Sequence, residues 1–118
     1  MTEASWSDGY VVEIDYVTEY FAELNPLRAR FLLAAAGRLP PEVGTACELG
    51  FGQGLSLAAH AAGSSITWWG TDFNPAHVVH ARELSGDRAT LADDAFAEFA
   101  ARDDLPMFDY IALHGVWS

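Results

Sequence analysis

A run of strand-forming residues, Thr45-Ala46-Cys47-Glu48-Leu49, passes without a spacer into Gly50-Phe51-Gly52-Gln53-Gly54 and then into the helix-forming stretch 55–62. No other feature constrains the fold as much. A strand that ends on a tight glycine loop and opens directly into a helix sends the chain back across the sheet, so the next strand lies parallel to the first. The pattern then repeats: strands are predicted over 66–71, 89–92 and 107–113, and helices over 75–84 and about 95–101. Asn74-Pro75 marks a helix start, because Asn caps free N–H groups and Pro suits the first helical position. Right-handed crossovers between successive units predict an α/β, doubly wound parallel sheet ordered 3-2-1-4.

Upstream the texture differs. Tyr16, Tyr20 and Leu24 share one face at helical spacing, which predicts a short helix over 16–24. Asn25-Pro26 restarts the chain, and a second helix is expected from Pro26 to about Ala36, stopped by Gly37, with Leu27, Phe31, Ala34 and Ala35 as its inward stripe. The expected organisation is an N-terminal helical extension over 1–42 and a ligand-binding domain over 43–118. The chain has no lysine, only six arginines against seventeen acids, for a formal net charge of −11. That excludes a P-loop and a lysine Schiff base on this chain, and it argues against nucleic acid and against a basic membrane helix. The lone Cys47 forms no internal disulfide, no run is long and apolar enough for a membrane span, and the first residues lack a secretory pattern. A cytoplasmic protein is expected.

The glycine loop is selective in what it holds. A dinucleotide fingerprint counted from Gly50 and Gly52 needs a small residue where Leu55 stands. Glu48, at the end of the strand, disfavours a pyrophosphate and suits a cation. Asp72 falls at the end of the second strand, where an acid accepts ribose hydroxyls. Asp93-Asp94-Ala95-Phe96 follows the third, where a carboxylate suits an adenine amine and an aromatic ring suits its face. In order 3-2-1-4 these loops converge. Either Asp93 or Asp94 also suits a helix cap.

Together, Cys47 to Gly54, Gly70-Thr71-Asp72-Phe73-Asn74-Pro75, Asp93 to Phe96 and Phe108-Asp109-Tyr110 to Gly115 resemble the class I S-adenosylmethionine-dependent methyltransferases, over about residues 43 to 118. Glu23-Leu24-Asn25-Pro26-Leu27-Arg28 and His114-Gly115-Val116-Trp117-Ser118 are similar to a bacterial subgroup. Its members join a methyltransferase domain to a methyltransferase regulatory domain, and some act on protein lysine. The resemblance implies a Rossmann-like fold and S-adenosylmethionine as cofactor. It implies that Glu48 and the backbone of Gly50, Phe51, Gly52 and Gly54 hold the methionine part, that Asp72 binds the ribose, and that Phe73 flanks the adenine. Asp94, Ala95 and Phe96 close the adenine pocket, and His114 stands where substrate-facing or catalytic residues occur.

An Asn/Asp-Pro-Pro-Tyr signature is absent, so the methyl acceptor, protein or small molecule, is not readable. The chain stops before strands 5–7 of the family's sheet and reads as the N-terminal part of a larger enzyme, expected to bind cofactor without turnover on its own. The competing reading is a non-catalytic cofactor-binding or regulatory module with a degenerate methyltransferase fold. Trp68 and Trp69 are expected on opposite faces of the sheet as core. His77 and His80, three apart on one helix, lack a third metal ligand, so no metal is expected.

Overall fold

The computed structural model describes residues 19–114. Four strands, β1 (Thr45–Leu49), β2 (Thr67–Thr71), β3 (Ala89–Ala92) and β4 (Tyr110–Leu113), form one parallel sheet ordered β3-β2-β1-β4. The expected order is therefore the observed one. The helices are α1 (Pro26–Ala35), α2 (Leu55–Ala62), α3 (Pro75–Ser85) and α4 (Phe96–Ala100). Register pairs Glu48 with Gly70 and with Ala112, so β1 sits at the sheet centre with its carboxyl end flanked on both sides.

Strand alternation divides the core. Ala46 and Trp68 point to the face covered by α2 and α3, where Leu57, Ala61, Val78, Ala81 and Leu91 complete a closed cluster. Burying Leu57 and Val78, at 0% and 1% exposed, stabilises the fold by roughly 1.5–3 kcal/mol each. Cys47 and Trp69 point the other way, against Phe99, Leu105 and Phe108. The two tryptophans do lie on opposite faces. Beside β4 that second face holds an apolar cavity of about 300 Å³, bordered by Cys47, Leu49, Phe99 and Phe108.

Local signals act as expected at both Asn-Pro sites. Asn25 Oδ1 accepts from Leu27 N–H at 2.9 Å and Asn74 Oδ1 from Ala76 N–H at 3.0 Å, each capping the helix that follows. Gly54 has φ +81°, and a Cβ there would overlap Ala81 on α3. Its hydrogen side chain lets α2 start against α3. Asp109 Oδ2 accepts from Gly44 N–H at 2.8 Å and Thr45 N–H at 3.1 Å, which fastens the approach to β4 onto the start of β1.

Three expectations are corrected. The helix over 16–24 is a single 3₁₀ turn, Ala22–Leu24; residues 16–18 lie outside the described residues. Residues 19–21 are instead drawn out along α2, where Phe21 N–H donates to Ser56 Oγ at 2.7 Å and Tyr20 Oη lies 3.1 Å from His60 Nε2. A helical hydrogen bond at Phe21 would take its N–H from Ser56. The α1 stripe does not turn inward: Leu27 is 40% and Phe31 69% exposed, and Pro26 is the buried residue of this helix. Periodicity marks an apolar face without supplying its partner. Finally, β4 begins at Tyr110 rather than Met107, because β1 offers its first residue pair only at Ala46 and Met107 stands 91% exposed before it.

Candidate functional site

The loops after β1, β2 and β3 meet at the carboxyl end of the sheet, tied by specific bonds. Gly50 N–H donates to Thr71 O at 2.8 Å, Asp72 N–H to Ala92 O at 3.1 Å, and Thr71 Oγ1 to Asp94 O at 2.6 Å. Gly50, Gly52 and Gly54 have φ of 69°, 60° and 81°, the left-handed region that glycine enters without steric cost. Their N–H groups are all used within the chain. Gly52 N–H donates to Asp72 Oδ2 at 2.8 Å and Gly54 N–H to Phe51 O at 3.0 Å. The loop thus offers close backbone approach instead of spare glycine donors, and Asp72 holds it shut.

Glu48 lies beneath this loop, 3% exposed, and its Oε1 is buried with no hydrogen-bond partner among the described residues. Burial first, and then the charge of Asp72, raises its carboxyl from 4.5 to about 8. Two acids in one dry pocket disfavour the ionised form of the deeper one. The same environment pushes the Cys47 thiol up to about 12, by burial and then by Glu48, so Cys47 is an inert core residue. Tyr110, at the start of β4, is raised by the same two causes.

Asp72 is 5% exposed and accepts from Gly52 N–H and, at 2.9 Å, from Asn74 N–H. Phe73 follows at the rim, half-buried. Phe51 is different: its ring is in the core cluster, so only its backbone borders the loop. Asp94 turns to Arg102, whose Nη1 donates to Oδ2 at 2.9 Å, while Asp93 is exposed. Neither caps α4. The cap is Ala95, whose N–H donates to Glu98 Oε1 at 3.1 Å. Phe96 lines the apolar cavity on the Cys47 face. Glu48, Gly50 to Gly54 and Asp72 therefore form one tight group, with Phe73 beside it and Asp94 to Phe96 at its border.

At the end of β4 the His114 ring stacks on Phe21, centroids 4.1 Å apart, and its Nε2 lies 3.7 Å from Glu23 Oε1. Both partners come from the N-terminal segment. Sequence reasoning did not join Phe21 and Glu23 to this end of the sheet, since a contact across some ninety residues leaves no periodic trace. It also passed over His60, buried beside Trp68 with its imidazole held below the usual range by burial. His77 faces Asp72, with Nδ1 3.5 Å from Oδ1. An acid immediately after a strand end and a histidine on the first turn of the next helix were the legible signal.

No family model matches the chain. In sequence it is 35% identical over 122 residues, 97% of its length, to an uncharacterized protein of Synechocystis sp. of which it spans 24%. Among solved structures it is similar to a TehB-like SAM-dependent methyltransferase from Corynebacterium glutamicum, with TM-score 0.53 and 20% identity over 75% of this chain and 52% of that one. It is similar to a SAM-dependent methyltransferase from Geobacter sulfurreducens in complex with S-adenosyl-L-homocysteine, with TM-score 0.51 and 22% identity over 94% and 41%. The bifunctional kinase-methyltransferase WbdD gives TM-score 0.56 and 19% identity over 92% and 23%. The chain spans about a quarter of the curated relative and about half or less of these enzymes' chains. Sheet order, glycine loop and these likenesses together establish that the chain has the Rossmann-like fold of the class I S-adenosylmethionine-dependent methyltransferases.

Proposed function

We propose that this chain is the cofactor-binding part of an S-adenosylmethionine-dependent methyltransferase, with residues 43–118 as the cofactor domain and 1–42 as its helical extension. The observation that carries the reading is the buried Glu48 carboxylate, with an oxygen left without a partner directly under a glycine loop. A phosphate placed there would face two acids. A ligand bearing an ammonium and a sulfonium would supply the missing partner, and Asp72 would take a ribose hydroxyl. The Geobacter structure, with its S-adenosyl-L-homocysteine, supports the same ligand class.

The cofactor supplies an activated methyl group and its own leaving group. What the chain contributes is alignment. Glu48 binds the amino-acid end, Asp72 fixes the ribose, Phe73 borders the base, and the water-poor floor keeps these contacts strong. His114, seated on Phe21 at the end of β4, is the group that would take a proton from an acceptor arriving protonated. The acceptor is a protein or small molecule, and protein lysine is the reading favoured by the resemblance around Glu23 to Arg28. The cytoplasm is the compartment proposed; no helix among the described residues is long and apolar enough to cross a membrane.

The test is calorimetric titration of the full chain with S-adenosylhomocysteine and, separately, NAD. Binding of the first and none of the second is expected. Preference for NAD, or no binding of either, would overturn the proposal. A cofactor-sensing module without turnover is the second reading, favoured by a β4 whose outer edge has no strand beside it among the described residues. Cofactor binding with no methyl transfer from a radiolabelled donor to lysine-rich protein would select that reading.

A further inference from the structure

The carboxyl ends of β1 and β4 are register neighbours, Leu49 beside Leu113, so the glycine loop and His114 leave the sheet side by side. Residues 20–24 lie across that exit. Phe21 N–H donates at 2.7 Å to Ser56 Oγ, in the first turn of α2 directly after the loop, and Ser56 is 4% exposed. The Phe21 ring stacks on His114, with centroids 4.1 Å apart and planes at 30°. Before it, Tyr20 Oη meets His60 Nε2 at 3.1 Å; after it, Leu24 is buried and closes a turn through its N–H to Phe21 O at 3.2 Å. A backbone N–H bonded to a buried hydroxyl is costly to release. Yet the ring that this anchor presents belongs to neither buried cluster of the core. An aromatic side chain fixed at the carboxyl end of the sheet and left out of the core has surface to give to a ligand.

We propose that Phe21 is a specificity-determining residue of the cofactor site: it walls the β4 side and covers the amino-acid end of the ligand, so that the site favours nucleosides carrying that tail. The inference rests on the reading of the chain as cofactor-binding. It adds to that reading which side of the site holds which part of the ligand. Asp72 follows β2, so the ribose end lies away from β4, whereas Glu48 and the Gly50 loop stand at the end of β1, next to His114. A ring over the β1 side shields the ligand's charged tail and Glu48 from water, which strengthens their attraction and slows release. Ser56 acts through Phe21 and is a positioning residue.

Calorimetry on the full chain with two probes provides the test: S-adenosylhomocysteine, and methylthioadenosine, which keeps the nucleoside and lacks the amino-acid tail. Phe21→Ala is expected to bind S-adenosylhomocysteine about tenfold more weakly and methylthioadenosine within about twofold of wild type. Ser56→Ala, which keeps the ring and frees its N–H anchor, should show the same selectivity at about threefold. Hydrogen exchange gives a second readout: S-adenosylhomocysteine, and not methylthioadenosine, should slow exchange of the backbone N–H groups over 20–24. Melting temperatures verify that each variant is folded, and Phe21→Leu replaces Phe21→Ala if the latter is not. An equal loss for both probes, as a merely structural role gives, or no loss for either, would overturn the role of Phe21 while leaving the cofactor reading intact. A wild type that binds neither probe would overturn both.

Discussion

Replacing Glu48 by Gln removes one charge from the driest part of the site, and its effect is calculable. In the fold the carboxyl is raised from 4.5 to about 8 by burial and by Asp72. A folded pKa above the unfolded one means that the native state binds the proton more tightly. This contribution to stability is thus complete below about pH 4.5 and is lost as pH rises through about 8. At 1.36 kcal/mol per decade, the ionised side chain weakens the fold at high pH by on the order of 5 kcal/mol relative to an exposed glutamate. Gln has the same shape and no charge to desolvate. Urea denaturation of both proteins from pH 5 to 9 should show Glu48→Gln gaining on wild type steadily as pH rises, by several kcal/mol at pH 9.

Comparing the two at each pH cancels the titrating groups that lie away from Glu48. The stabilised variant should also bind S-adenosylhomocysteine at least tenfold more weakly at pH 8, because it offers no charge to the ligand's ammonium. Wild type should release close to one proton on binding at pH 7, read from calorimetry in buffers of different ionisation enthalpy, and the variant none. A difference in stability that stays constant between pH 5 and 9, or a variant less stable than wild type at pH 9, would refute the account of Glu48 as a destabilising buried acid kept for its ligand.

Gly54→Ala places a methyl against Ala81 at a left-handed φ, and chemical denaturation should show a loss of about 2–4 kcal/mol. Asp109→Ala frees two backbone N–H groups at the start of β1; a loss of about 1–3 kcal/mol, with faster hydrogen exchange at Gly44 and Thr45, is the expected result. His60 is kept neutral by burial, below its usual 6.5. Its depressed pKa means that stability present above 6.5 is lost as pH falls toward and through the folded value, so wild type should lose more stability than His60→Gln between pH 7 and pH 5, by thermal melts.

Local chemistry determined much of this molecule. Asn-Pro pairs started α1 and α3 where helix capping requires it, alternation of short apolar runs set four parallel strands, and glycines at 50, 52 and 54 announced a loop bent through left-handed φ. Those are effects of neighbouring residues, and a linear reading sees them. The grouping of Glu48, Gly52 and Asp72 was legible for the same reason: strand order brings together residues at, or just past, the carboxyl ends of neighbouring strands.

Tertiary structure alone decided the rest. Whether an apolar stripe is buried depends on a partner, and α1 finds none among the described residues, leaving Phe31 mostly in solvent. Residues 19–21 abandoned a helical pattern for contacts with Ser56 and His60, because distant hydrogen bonds outweighed a local preference. Asp94 went to Arg102 eight residues on, and His114 to Phe21 and Glu23 at the far end of the chain. The perturbed acidity of Glu48 is the clearest case. Sequence placed a carboxylate under the loop, but its pKa is set by how completely the surrounding side chains exclude water and by the distance to a second acid, and both exist only once the chain has folded.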